Sequence, residues 1–141
     1  MSAGERRRVA RSVTGSVLDT SVLIAVDEQR ALDLPERSAI SVVSLGELRA
    51  GVLRARGPAS RSVRAARLAD VRSAFAALVV DAAVADQYGA ALAHARSAGR
   101  IVKATDLLII ATAAATGREL VTLDTAQGAL ARELGLYARA P

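Results

Sequence analysis

Apolar positions along the chain fall into two kinds of run. Short aliphatic or β-branched runs close on a polar residue: Val17-Leu18 before Asp19, Ala39 to Val43 before Ser44, Leu78 to Val80 before Asp81, and Leu120 to Leu123 before Asp124. Longer stretches instead repeat their apolar positions every three or four residues, the helical period. The first kind predicts strands at 17–19, 39–43, 78–80 and 119–123. The second predicts helices at about 21–27, 44–55, 60–77, 82–98, 106–116 and 125–134, with a short edge strand at 136–138. Punctuation agrees: Gly57-Pro58 marks a turn, Asp81 is an N-cap, Gly99 and Gly117 stop helices, and Thr105 is the expected cap of the fifth helix. Residues 29–37, with Pro35, read as a polar loop. The expected buried stripes are Val63, Leu68, Val71 and Phe75 in one helix, and Val84, Tyr88, Ala91, Leu92 and Ala95 in the next. Residues 106–116 are apolar on nearly every side, the mark of a helix buried across a sheet. Strands alternating with helices give the α/β class: a three-layer α/β/α domain around a mainly parallel sheet.

Length and composition narrow this picture. The 141 residues suit one domain, large enough to bury roughly 70% of the extended chain's surface. Aromatic residues are only 2%, so Ala, Val, Leu and Ile build the core. The absence of cysteine excludes disulfides and thiolate zinc sites and makes the reducing cytoplasm the expected location. The longest near-continuous apolar run, Leu107 to Ala115, is far short of the roughly 20 residues a membrane span needs. Residues 1–15 read as a flexible basic tail, because Asp19 interrupts the apolar segment that a signal peptide would require. Residues 16–141 then form the single domain. Net charge is +5, and a basic surface attracts polyanions, nucleic acid above all.

Chemistry enters through four acids. Asp19, Glu47, Asp106 and Asp124 lie at the ends of apolar runs, where carboxylates lose hydration and need partners. Each has a local explanation. Glu47 and Ser44 have capping-box spacing, Asp106 suits the positive end of a helix, Asp124 could begin the last helix, and Asp19 could sit in a strand-end turn. In parallel sheets, however, ligands bind beyond the carboxyl ends of the strands, and all four residues fall at that kind of position. A shared site accounts for the coincidence. Four converging carboxylates need a cation, and an oxygen-only donor set selects Mg²⁺ or Mn²⁺. Ser21 and Thr122 are hydroxyls positioned to support the acids, or to bond locally at strand ends. Seven arginines and a single Asp lie between Arg49 and Val80. They could form a phosphate-tracking face, but most read as solvated helix faces or a surface for an acidic partner, and Arg49, close after Glu47, is the candidate for substrate contact. His94, the only histidine, falls off the apolar stripe and reads as solvated.

Four segments, Leu18-Asp19-Thr20-Ser21, Ser44-Leu45-Gly46-Glu47-Leu48, Asp106-Leu107-Leu108-Ile109-Ile110-Ala111-Thr112-Ala113 and Leu120-Val121-Thr122-Leu123-Asp124, together resemble the PIN-domain nuclease family in family order. Within it they most resemble the VapC-type toxins of bacterial toxin–antitoxin pairs. The resemblance implies a metal-dependent endoribonuclease that prefers single-stranded RNA. Asp19, Glu47, Asp106 and Asp124 match its acidic quartet, and Ser21 and Thr122 match supporting positions. A VapB-type antitoxin, a homodimer and no membrane association are expected. Two departures stand out: Lys103 lies where members often carry a further polar or acidic residue, and the basic start is long. The rival readings are an RNA-processing nuclease without antitoxin, a non-catalytic interaction module, and a phosphatase with Asp19 as nucleophile. The last usually wants an Asp where this chain has Ser21.

Overall fold

In a computed structural model, residues 15–27 and 32–141 are described. The proposed basic tail lies outside them except for Gly15, as does part of the loop at 29–37. Five short strands, β1 (Ser16–Leu18), β2 (Ser38–Ser41), β3 (Ala76–Leu78), β4 (Glu119–Val121) and β5 (Ala138–Arg139), form one sheet in the order β3-β2-β1-β4-β5. Every pairing is parallel. Six helices connect them: α1 (Thr20–Asp27), α2 (Val42–Leu53), α3 (Pro58–Ala74), α4 (Ala82–Ser97), α5 (Ala104–Ala115) and α6 (Thr125–Glu133).

Alternation along the strands creates the three layers. Successive side chains of a strand point to opposite faces. Val17 and Leu120 accordingly join a core with Leu107, Ile110 and Leu130 from α5 and α6. Their neighbours Leu18 and Val121 join a second core with Val22, Leu48, Val52, Leu68 and Val71 from α1, α2 and α3. The sheet is thus buried on both faces, as parallel sheets require. The expected α/β/α architecture holds, and α5 is the central buried helix, with Leu107 and Ile109 to Ala113 all buried.

Several element boundaries differ from the sequence reading. Helix α2 starts at Val42, because the Ser41 side chain accepts from the Val43 amide at 3.1 Å and caps it. The β-branched pair Val42-Val43 therefore opens a helix rather than ending a strand. Helix α3 begins with Pro58 at its first turn and ends at Ala74, where Phe75 turns extended. Strand β3 follows at once, leaving Val79 and Val80 exposed. Val63 is exposed too and leaves the expected stripe to Leu68, Val71 and Phe75. Helix α5 begins at Ala104 with Lys103 at the cap position and no side-chain capping bond, so Thr105 lies inside the first turn. Asp81 caps α4 as expected, accepting from the Val84 amide at 3.0 Å. Beyond α4, the Gly99 φ of 68° and the Arg100 amide bonding back to the Ala95 carbonyl close the helix in a left-handed turn.

Candidate active site

The carboxyl edge of the sheet is organised around Asp19. It follows the central strand β1, its amide donates to the Val121 carbonyl at 2.9 Å, and it is only 4% exposed. Burial at this level demands partners, and three residues supply them. Ser21 Oγ donates to Asp19 Oδ2 at 2.6 Å while accepting from the Leu123 amide at 3.2 Å. Thr122 Oγ1 donates to the same oxygen at 3.0 Å and accepts from the Asp124 amide at 3.0 Å. Both hydroxyls therefore tie Asp19 to the chain leaving β4. Gln127, buried in α6, is the third partner. Its amide nitrogen faces Asp19 and donates at 3.0 and 3.2 Å, since an amide oxygen so close to a carboxylate would be repelled. This orientation replaces a 3.5 Å contact with the Asp106 carbonyl oxygen.

Glu47 comes from the β2 side. Thr20 Oγ1, at the start of α1, donates to Glu47 Oε1 at 2.8 Å and lies 2.8 Å from Ser44 Oγ. The single Thr20 proton goes to the carboxylate, so Ser44 donates to Thr20. Ser44 is fully buried within α2 and caps nothing. The capping-box explanation of Glu47 is thereby removed, because Ser41 holds the cap.

Asp106 and Asp124 come from the β4 side. Asp124 caps α6, its Oδ1 accepting from the Ala126 and Gln127 amides at 3.0 and 3.1 Å. The local role anticipated for it is real, but it uses only that oxygen. Asp106, in the first turn of α5, has its pKa raised to about 6. Burial is the largest cause, followed by the charges of Asp19, Glu47 and Asp124, with Lys103 opposing. Asp106 thus feels the charge of the other three acids, although the four arise from separate segments.

Two cavities of about 370 Å³ each open at this edge. One is lined by Asp106 and Asp124 with Lys103 and Gln127, the other by Thr20 and Glu47 with Arg64 and Arg67. Among the described residues, no three acidic or histidine side chains already stand as a closed set of metal ligands. The carboxylates surround Asp106 with negative charge without forming such a set. Their donor chemistry nevertheless fits a hard divalent cation: every candidate atom is a carboxylate oxygen.

Arg49 is exposed on α2, two residues and so about 200° of helix rotation from Glu47. It does not line the Glu47 cavity, whereas Arg64 and Arg67 of α3 do. His94 lines neither cavity; it is half-exposed in a cluster with Glu133 and Arg100, and Arg100 lines the cavity of Asp106 and Asp124. There the Arg100 guanidinium, and secondarily His94, hold the Glu133 carboxyl below its usual range.

A parallel α/β sheet with acids gathered at its carboxyl edge is the arrangement of a PIN domain, and the PIN domain family model matches residues 16–133. The chain belongs to the PIN-domain family. Its place within the family is with the VapC ribonucleases. It is 42% identical over 113 residues to Ribonuclease VapC5 of Mycobacterium tuberculosis (strain ATCC 25618 / H37Rv), covering 77% of this chain and 82% of that protein. It is 48% identical over 100 residues to Ribonuclease VapC8 of M. tuberculosis (strain CDC 1551 / Oshkosh), covering 69% and 88%. The structure resembles that of VapBC-5, a member of the VapBC family of toxin–antitoxin systems from M. tuberculosis. The TM-score is 0.75 at 35% identity, over 89% of this chain and 96% of that one.

Proposed function

We propose that the protein is an Mg²⁺- or Mn²⁺-dependent endoribonuclease toxin restrained by a cognate VapB-type antitoxin. The observation that carries the reading is the placement of Asp19, Glu47, Asp106 and Asp124 at the carboxyl edge of one sheet, near enough for the other three to raise the Asp106 pKa. A field that negative at Asp106 favours a divalent cation beside it. Asp19, Glu47, Asp106 and Asp124 would hold the ion. When bound, it would supply Lewis acidity, activating a water and neutralising charge on the leaving oxygen. The chain's own residues do the positioning. Ser21, Thr122 and Gln127 fix the Asp19 carboxylate, and Thr20, supported by Ser44, fixes Glu47. Such supporting bonds orient ligands that would otherwise rotate away. Lys103, beside Asp106, offers a positive charge to a phosphate entering the same cavity.

The curated relatives are named ribonucleases, which supports RNA as the substrate; a cytoplasmic place of action belongs to the same proposal. No described helix is long and apolar enough to cross a membrane. The solved relative comes from a toxin–antitoxin system, which supports an antitoxin partner for this chain. An Arg from that partner would suit the acidic edge, since its planar fork bonds carboxylates bidentately. One ion pair is too weak to silence a nuclease. The apolar groove of about 330 Å³ lined by Leu23, Val26, Val71 and Phe75 offers further area between α1 and α3. A homodimer and a basic tail at residues 1–15 belong to the same proposal.

Purified protein should cleave single-stranded RNA with Mg²⁺ or Mn²⁺, stop with EDTA, and leave 5′-phosphate and 3′-hydroxyl ends. A 2′,3′-cyclic phosphate product would mean that the ribose hydroxyl attacks, and the metal-hydrolase reading would fall. Growth arrest on expression, relieved by the reading frame immediately upstream, tests the toxin. A protein harmless alone would instead be an RNA-processing nuclease.

A further inference from the structure

The helical hairpin α2–α3 carries an imbalance of charge that extends beyond the acidic edge. Across residues 41–80 the sequence holds seven arginines against two acids, Glu47 and Asp70. At the hairpin's turn a cavity of about 320 Å³ is lined by Gly51, Arg54, Arg56, Ser60 and Arg64. No acidic side chain lines it. Among the described residues, neither Arg54 nor Arg56 pairs with a carboxylate. Arg64 Nη1 donates to the Gly51 carbonyl at 2.7 Å, which holds this guanidinium in the cavity wall and leaves its other N–H donors for a ligand. Three guanidiniums around one opening repel one another, and an anion bound among them converts that repulsion into attraction.

Position gives this cavity a role. Gly51 and Arg64 line it and also line the neighbouring cavity that contains Glu47. Arg64 is thus the common wall between an arginine-lined opening and the acidic edge. Along α2, Glu47 and Gly51 are one turn apart, a rise of about 6 Å, and Arg54 lies about 10 Å from Glu47 along the axis. That interval is one to two nucleotides of extended strand.

The geometry points to a backbone-phosphate subsite at Arg54, Arg56, Ser60 and Arg64, which grips the substrate strand beside the bond to be cut. The inference rests on the ribonuclease reading for its substrate. Phosphate contacts of this kind fix the register of a strand without reading its bases. The subsite therefore sets how long an RNA must be to bind well, and leaves sequence preference to other residues.

The test compares wild-type protein with Arg54→Gln/Arg56→Gln, both exposed positions, checking first that circular dichroism is unchanged. A fluorescein-labelled 12-nucleotide single strand is bound in EDTA over a range of NaCl concentrations and followed by anisotropy. Losing two phosphate contacts should reduce the slope of log affinity against log salt by about 1.4, at roughly 0.7 per contact on single strands. With Mg²⁺, KM for the 12-mer should rise about tenfold while kcat stays the same. A trinucleotide too short to reach the cavity should be cut with the same kcat/KM by both proteins. Arg54→Lys/Arg56→Lys should restore the salt slope. An unchanged slope and KM for the 12-mer, with wild-type cleavage intact, overturns the subsite and leaves the nuclease standing. A reduced slope in EDTA with no cleavage by wild type supports the subsite and overturns the nuclease reading. Unaltered RNA binding with lost binding of a Glu-rich peptide would assign the cavity to an acidic partner instead and overturn the proposal.

Discussion

Replacing Asp106 by Asn removes a charge that the folded, metal-free protein holds against both burial and three like charges. The carboxyl rises from an ordinary 3.8 to about 6 on folding. At 1.36 kcal/mol per pH unit, the full displacement corresponds to about 3 kcal/mol. Asp106 is only partly buried, so solvent screening reduces this to about 1–2 kcal/mol. The sign follows from proton binding. Between pH 4 and 6 the folded state keeps a proton that the unfolded state has released, so stability of the metal-free protein falls as pH rises through that window and levels off above it. Asp106→Asn should lack this decline. In EDTA at pH 8 the variant should melt about 3–8 °C above wild type, and at pH 4 the two should nearly coincide. Adding Mg²⁺ at pH 8 should raise the wild-type melting temperature more than the variant's, because the ion binds only the folded site. Differential scanning fluorimetry at both pH values is sufficient. A variant no more stable than wild type at pH 8, or stabilised equally at pH 4, would show that Asp106 is not under the repulsion described.

Asp19→Asn should lower turnover by at least about a hundredfold, the upper range for losing merely a residue that supports a ligand. Its circular dichroism should be unchanged, and undiminished turnover would remove Asp19 from the site. Thr20→Val breaks the bond to Glu47 and should weaken Mg²⁺-supported activity about 10–100-fold, with Thr20→Ser largely restoring it; equal loss in both would point to packing instead. Asp81→Ala removes the α4 cap, which lies away from the acids, and should cost about 1 kcal/mol of stability in urea unfolding with kcat/KM intact.

The acids were legible because a carboxylate closing an apolar run is conspicuous, and strand-end positions in a parallel sheet share one edge. The architecture was legible for the same reason: β1 and β4 are uninterrupted apolar segments set between helical periods. What escaped was whatever depends on distance in space. Thr20 and Gln127 carry no pattern of their own, and their value arises only when α1 and α6 bring them to Glu47 and Asp19. Arg49 drew attention by its nearness to Glu47 in sequence, yet helix rotation carries it away and the packing of α3 against α2 brings Arg64 in. Ser44 mimicked a cap because its spacing to Glu47 is right. Only the backbone shows that Ser41 reached the position first.

The parallel order of the sheet also sets a clock on the enzyme. Strand β4 pairs directly with β1, and the Thr122 hydroxyl that steadies Asp19 lies 103 residues further along the chain. Synthesis at about 5–20 residues per second spends roughly 5–20 s between the two. Throughout that interval the growing polypeptide has its first acid but neither β4 nor Asp124. On the proposed reading, a growing polypeptide would hold the complete acid set only once β4 has inserted beside β1.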